Sequence, residues 1–202
     1  NMKIEILQLG QLQTNCYIAH CGGEAIIIDP ADEAEFIAEK IQRLNLKLSA
    51  ILATHGHFDH VLAAGELQMI FNIPFYIHQS DKFLLKEMNS SASFWLKQKI
   101  NRPLPQNIKL IKKEFSLEFG GCRLKVIETS GHTPGSVCFL SDGVIFSGDT
   151  LFKNGVGRTD FSYSDKTQLE KSLEKIFRLA PKTIVYPGHG ETTAVKDEKI
   201  NI

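Results

Sequence analysis

Four side chains able to bind a metal or move a proton crowd into six residues: His55, His57, Asp59 and His60. Imidazole nitrogens and carboxylate oxygens are the donors of zinc-type sites, and solubility alone seldom calls for such density. Three more residues of the same types stand apart: His132 in Ser-Gly-His-Thr-Pro-Gly, Asp149 in Phe-Ser-Gly-Asp-Thr and His189 in Tyr-Pro-Gly-His-Gly. Each follows an apolar run and sits beside glycine, whose freedom lets a chain leaving a strand turn a side chain into a crowded site. Taken singly, each reads as a loop histidine or a capping aspartate. Taken with the cluster, they predict metal binding.

At i and i+2 on a helix His55 and His57 would point roughly 200° apart, whereas in extended chain they point the same way. They are therefore expected on the loop after a strand, with Asp59 and His60 at the start of the next helix, facing a second ion close to the first. Two adjacent divalent ions bring a shared water close to ionisation at neutral pH and polarise a carbonyl. The chemistry expected is hydrolysis of an ester-like bond by a bridging hydroxide. Zinc, iron and manganese all suit these donors.

Strand and helix patterns must place these residues. Residues 3–9 and 16–20 alternate like half-buried strands, and Ala25-Ile26-Ile27-Ile28 is a buried run ending at Asp29-Pro30. Asp32, with Glu35 three positions on, reads as the N-cap of a helix carrying Phe36, Ile37, Ile41 and Leu44. Leu48 to Ala53 is the next strand and leads into the histidine cluster, and Val61 to Phe71 is helical. A short strand over Pro74 to His78, helix over 80–99 and a surface crossing at Arg102-Pro103-Leu104-Pro105 follow. Trp95, with Phe94 and Leu96, could line a pocket mouth, but an amphipathic helix packed on the core is the better expectation for these residues. From Ile108 to Phe146 strand succeeds strand, with turns at Gly120-Gly121 and at Asp142-Gly143, the latter a type I′ candidate. Asp165 to Leu179 is helical and Thr183 to Tyr186 a last strand. The pattern suggests two sheets with helices outside them, in a single domain over residues 2–202.

Composition narrows the function. Lys plus Arg and Asp plus Glu are 23 each among 202 residues, so no net basic field draws nucleic acid or an anionic membrane. There is neither an apolar run long enough to span a bilayer nor a signal-peptide pattern, which predicts a cytoplasmic protein. Asn1 ahead of Met2 reads as an addition before the natural start. Cys16, Cys21, Cys122 and Cys138 show no C-x-x-C spacing and are expected as buried free thiols. His20 and His78 are expected to hold no metal.

Thr54-His55-Gly56-His57-Phe58-Asp59-His60 resembles the T-H-x-H-x-D-H signature of the metallo-β-lactamase superfamily, with His132, Asp149 and His189 following in that family's order. Asn15-Cys16-Tyr17, Ile28-Asp29-Pro30, Gly131 to Ser136 and Gly148-Asp149-Thr150-Leu151-Phe152 resemble its glyoxalase II-like branch, and Gly155 to Phe161 resembles a stretch shared by short glyoxalase II-like proteins and persulfide dioxygenases. The resemblance implies a four-layer αββα sandwich of two mixed sheets (α/β or α+β in class). It also implies two divalent ions, with His55, His57 and His132 on one, Asp59, His60 and His189 on the other, and Asp149 bridging. Asp59 would orient the hydroxide. Zinc is the first expectation for the metal. Asp29 would stand behind the ligands or serve only a turn before Pro30.

The substrate so implied is a small-molecule thioester such as S-(2-hydroxyacyl)glutathione, split by a monomer or homodimer. Glyoxalase II enzymes bind glutathione with a further helical segment, whereas this sequence ends soon after His189, so recognition by that segment is not expected. Arg158 reads either as a fork for a substrate carboxylate or as the partner of Asp160. Other readings are a mononuclear iron persulfide dioxygenase, a lactonase or phosphodiesterase on the same metal pair, and a metal-binding module without turnover. The complete donor set weighs against the first and the last.

Overall fold

In a computed structural model of the chain, residues 1–199 are described. The first half contains β1 (Lys3–Leu9), β2 (Thr14–Cys21), β3 (Glu24–Ile28), α1 (Ala34–Arg43), β4 (Lys47–Leu52), α2 (Phe58–Val61), α3 (Ala64–Phe71) and β5 (Phe75–His78). A single 3-10 turn, Gln79–Asp81, then leads to α4 (Lys82–Lys86), α5 (Met88–Leu96) and β6 (Ile108–Ile111). The second half contains β7 (Ser116–Phe119), β8 (Cys122–Glu128), β9 (Val137–Ser141), β10 (Val144–Gly148) and a small hairpin of β11 (Leu151–Phe152) and β12 (Gly155–Val156). It ends with α6 (Lys166–Phe177), β13 (Ile184–Pro187), β14 (Thr193–Ala194) and α7 (Val195–Glu198).

Two six-stranded sheets form, in the orders β1-β2-β3-β4-β5-β6 and β14-β13-β10-β9-β8-β7. Both are mixed. β3, β4, β5 and β6 run parallel, as do β10 and β13, while the remaining neighbours are antiparallel. Alternation along a strand explains the layering, because successive side chains leave opposite faces. In β2, Tyr17 and Ala19 enter the layer between the sheets, where they meet Phe139 and Phe146. Cys16 and Ile18 enter the layer under the first-half helices with Ile37, Ile41 and Leu67. The outer face of the second sheet is covered by Leu169, Leu173 and Ile176 of α6. The result is helix, sheet, sheet, helix, as the resemblance implied. No helix among the described residues is long and apolar enough to cross a membrane.

The structure corrects several expectations. α1 is capped by Glu33, in a left-handed conformation, and not by Asp32, whose Oδ1 instead accepts the Glu33 N–H. The turn at Asp142-Gly143 has positive φ only at Gly143, so it is not type I′, which needs both residues there. The Gly22-Gly23 and Gly120-Gly121 turns do have both residues positive. Phe94 and Trp95 do not pack on the core: α5 buries Met88 and Ala92 on one face and leaves these two rings 64% and 51% exposed on the other.

The cysteines divide into two kinds. Cys16 and Cys138 are buried free thiols as expected, but Cys21 and Cys122 form a disulfide across a sequence separation of 101. Each closes a hairpin turn, one in each sheet, and the two turns cross at the end of the sandwich where β3 begins. Spacing along the chain carries no trace of that crossing. Thiol titration in denaturant without reductant should therefore find two reactive thiols; four would refute the pairing. Reduction should lower unfolding stability by about 2–4 kcal/mol, read from denaturant melts.

Candidate metal centre

The donors gather where β3, β4, β10 and β13 end. β4 leaves the sheet into the loop holding His55 and His57, and α2 begins at Phe58 with Asp59 and His60 in its single turn. His132 lies on the connection from β8 to β9, Asp149 directly after β10, and His189 just beyond β13. Because β10 and β13 are parallel, Asp149 and His189 emerge at the same end. A bridge between Thr14 and His189, with the Asn15 N–H donating to Gly188 O at 2.8 Å, ties this end of the second sheet to the first. Gly188 is needed there, since a Cβ would stand 2.2 Å from Asp149 Oδ1 and 2.7 Å from His60 Cε1.

All seven predicted donors converge. His55 Nε2 and His132 Nε2 each lie 3.0 Å from His57 Nδ1. His60 Nε2 lies 3.3 Å from Asp149 Oδ1 and 3.6 Å from Asp59 Oδ2, and His189 Nε2 is 3.3 Å from Asp59 Oδ2. Three groups have donor atoms all within 4.8 Å of one another: His55-His57-His132, His55-His60-Asp149 and Asp59-His60-His189. Two nitrogens bound tetrahedrally at about 2.0–2.1 Å from one ion sit about 3.3 Å apart, so the spacing fits.

Hydrogen bonds on the far side of each ring set the tautomers. His132 Nδ1 donates to Arg158 O at 2.8 Å and His60 Nδ1 to Asp29 Oδ2 at 2.9 Å, so in the neutral form of either ring Nε2 is bare. Thr54 Oγ1 gives its proton to Asp29 Oδ2 and so accepts from His55 Nδ1 at 3.1 Å, which leaves His55 Nε2 bare as well. A proton on His57 Nδ1 could satisfy one of its two neighbours, whereas a cation satisfies all three nitrogens. Asp149 Oδ1 and His60 Nε2 are buried without any hydrogen-bond partner. Orphaned buried atoms of this kind are costly unless something absent from the protein alone completes them, and the residues fit divalent ions. Asp29 therefore stands behind the donors, beyond its place in a turn.

The two halves of the centre differ in charge. Burial and the neighbouring imidazoles hold His55 well below its ordinary value and push His57 down to about 3, so these two stay neutral. Burial alone would raise Asp59 and Asp149, but His60 and His189 more than reverse it, and both carboxyls fall below their usual range. Burial opposes charge on His60 and His189 too, yet Asp149 and Asp59 outweigh it and raise both.

His57, Asp59, His132, Asp149 and His189 wall a cavity of about 380 Å³, which also takes in Trp95, Arg158, Phe161 and Tyr163. Arg158 is exposed and forked onto Asp160, Nε to Oδ1 and Nη2 to Oδ2 both at 2.6 Å, with its guanidinium 4.7 Å above the Phe161 ring. Both readings of Arg158 thus remain compatible with its position. Tyr163 OH is 2.9 Å from His57 Nε2. Trp95 thus takes the pocket-mouth place that its sequence reading set second, whereas Tyr163 had no signal in the sequence beyond being aromatic, because only the folded loops bring it to the cavity. His20 and His78 lie elsewhere, near Glu5 and Glu128. A larger cavity, about 720 Å³, borders the disulfide and contains none of the seven donors.

The sequence profile of the metallo-beta-lactamase superfamily matches residues 9–189. A curated relative from Haemophilus influenzae, named hydroxyacylglutathione hydrolase GloC, is 36% identical over 98% of this chain and 95% of its own. Among solved structures, that of BLEG-1 B3 metallo-beta-lactamase is 36% identical with a TM-score of 0.90, covering 98% of this chain and 97% of its own. That of TTHA1623 in a di-iron-bound form is 35% identical with a TM-score of 0.88, covering 96% of each chain.

The raised His60 and His189 set a pH dependence. An ion must displace their protons, so divalent-metal affinity should climb as pH rises, with proton release visible by calorimetry in buffers of different ionisation heat. In the ion-free protein these raised groups add stability below their unfolded values, and that contribution is lost as pH rises through the folded ones. Ion-free melts should therefore weaken with rising pH more than ion-loaded melts. Equal pH profiles would contradict the assignment. Asp29→Asn, which disturbs the acceptor of His60, should lower metal affinity about 10–100-fold.

Proposed function

Because this chain belongs to the metallo-beta-lactamase superfamily of metal-dependent hydrolases, we propose that it hydrolyses an acyl thioester, S-(2-hydroxyacyl)glutathione or a close analogue, at a centre of two divalent ions. The observation that carries the reading is the complete set of seven donors, five of which (His57, Asp59, His132, Asp149 and His189) line a cavity sized for a small molecule. The relative named hydroxyacylglutathione hydrolase supports the substrate class. When bound, the ions supply a hydroxide at neutral pH and polarise a carbonyl.

The chain's own residues do the rest. His55, His57 and His132 would hold one ion, Asp59, His60 and His189 the other, with Asp149 between them. Asp59 Oδ2, which accepts the Thr14 hydroxyl at 3.1 Å, belongs to a carboxylate fixed well enough to orient the attacking hydroxide. A thiolate leaves without strong acid help, which fits a cavity with no dedicated proton donor in the reading. Trp95 and Phe161 offer apolar faces to the substrate. Arg158 offers a planar fork to a carboxylate of glutathione, exchanging Asp160 for it. Zinc suits the nitrogen-rich set, and iron is the alternative suggested by TTHA1623.

A one-iron dioxygenase would leave Asp59 and His189 without a task. Opening of a β-lactam ring is a second reading, favoured by the similarity to BLEG-1. Protein purified without chelator should contain about two metals per chain and release thiol from S-lactoylglutathione. One iron per chain with persulfide-dependent oxygen uptake, or turnover of a chromogenic β-lactam alone, would overturn the thioester reading. Chelation should abolish hydrolysis and added zinc restore it. Arg158→Ala should raise KM several-fold with little change in kcat, the pattern of lost ground-state binding.

A further inference from the structure

Asp81 lies outside the donor set, yet it is wholly buried where the 3-10 turn meets α4. Its carboxylate accepts three hydrogen bonds: the Gly56 N–H at 2.9 Å and the Thr133 hydroxyl at 2.6 Å on Oδ2, and the Gly135 N–H at 2.6 Å on Oδ1. Gly56 separates His55 from His57, and Thr133 follows His132. One carboxylate thus joins both chain segments that carry the three-histidine group.

The hydrogen bonds have a single consistent direction. Thr133 spends its only proton on Asp81, so the Ser136 hydroxyl, 2.7 Å away, donates to Thr133 and itself accepts the Thr133 N–H at 3.1 Å. Every group facing Asp81 is a donor. An amide in its place would turn an N–H against another N–H and leave both unpaired. Immediately after Asp81, Leu84 of α4, Glu87 between the helices and Trp95 of α5 wall the cavity.

We infer that Asp81 is a positioning residue that holds the His55-His57 loop and the His132 loop at the spacing one ion needs, and seats the α4–α5 wall against them. The inference rests on the two-ion reading above. It predicts selective damage: loss of Asp81 weakens the ion at His55, His57 and His132 and spares the one at Asp59, His60 and His189.

The test is titration of ion-free protein with Cd²⁺, following ¹¹³Cd resonances for each site and affinities by competition with a chromophoric chelator. The site with three imidazoles resonates apart from the one with two imidazoles and the Asp59 carboxylate. Asp81→Asn should weaken the three-histidine ion about 10–100-fold, Thr133→Val should do so less, and Thr133→Ser, which keeps the hydroxyl, should restore it. Asp165→Ala serves as a structural control, since the Asp165 side chain caps α6 through the Gln168 N–H at 3.0 Å; losing the cap should lower the melting temperature and leave both ions in place. If Asp81→Asn fails to fold, the two Thr133 variants decide. Folded Asp81→Asn or Thr133→Val protein with both ions held as in the wild type, or with both weakened alike, would overturn the inference. A wild type that takes up one ion would contradict the two-ion reading instead, and Asp81 would then be judged on whether that ion is weakened.

Discussion

The Asp29 carboxylate accepts from the Thr54 N–H, the Thr54 hydroxyl and His60 Nδ1, at 2.7, 2.7 and 2.9 Å, and each bond fixes a different part of the centre. The first locks the end of β3 to the start of the histidine loop. The second turns the Thr54 oxygen so that it must accept from His55. The third aims His60 Nε2 toward Asp149 and Asp59. Asp29 holds this post in a left-handed conformation, φ 53°, which an L-residue adopts only when its surroundings compel it. Three bonds to one buried carboxylate supply that compulsion.

From this anchor the asymmetry of the centre follows. On one side His55 and His57 stay neutral where they meet His132, and on the other a histidine pair shares protons with two carboxylates. Without ions the second side neutralises itself internally, while the first leaves lone pairs facing one another. Ions would therefore relieve repulsion on one side and compete with protons on the other. Both sides are built at strand ends, where the sheets supply rigid supports and the loops supply direction.

The fold and donor set belong to a superfamily whose members, judged by the names of the similar proteins, differ in what they act on. A metal centre of this kind would polarise any ester-like bond, leaving the cavity walls to choose among substrates. Here those walls come from segments remote from the donors: α4 and α5 on one flank, and the stretch through Arg158, Phe161 and Tyr163 on the other. Tyr163 belongs to both functions, since its hydroxyl touches His57 Nε2 while its ring stacks on Phe161 at 5.4 Å.

The seven donors, the family and the αββα layering were legible in the chain itself, because ligand type, local spacing and strand alternation are properties of neighbouring residues. His55 and His57 had to share a direction in extended chain, and β2 and β3 had to split their side chains between two layers. What only the tertiary structure decided depends on residues far apart in sequence. The Cys21–Cys122 bond needs two turns to cross, Asp81 needs three donors from two loops, and Trp95 is released from the core because Met88 and Ala92 already occupy it. Such contacts are set by how the two sheets stack, and stacking leaves no periodic mark on either partner.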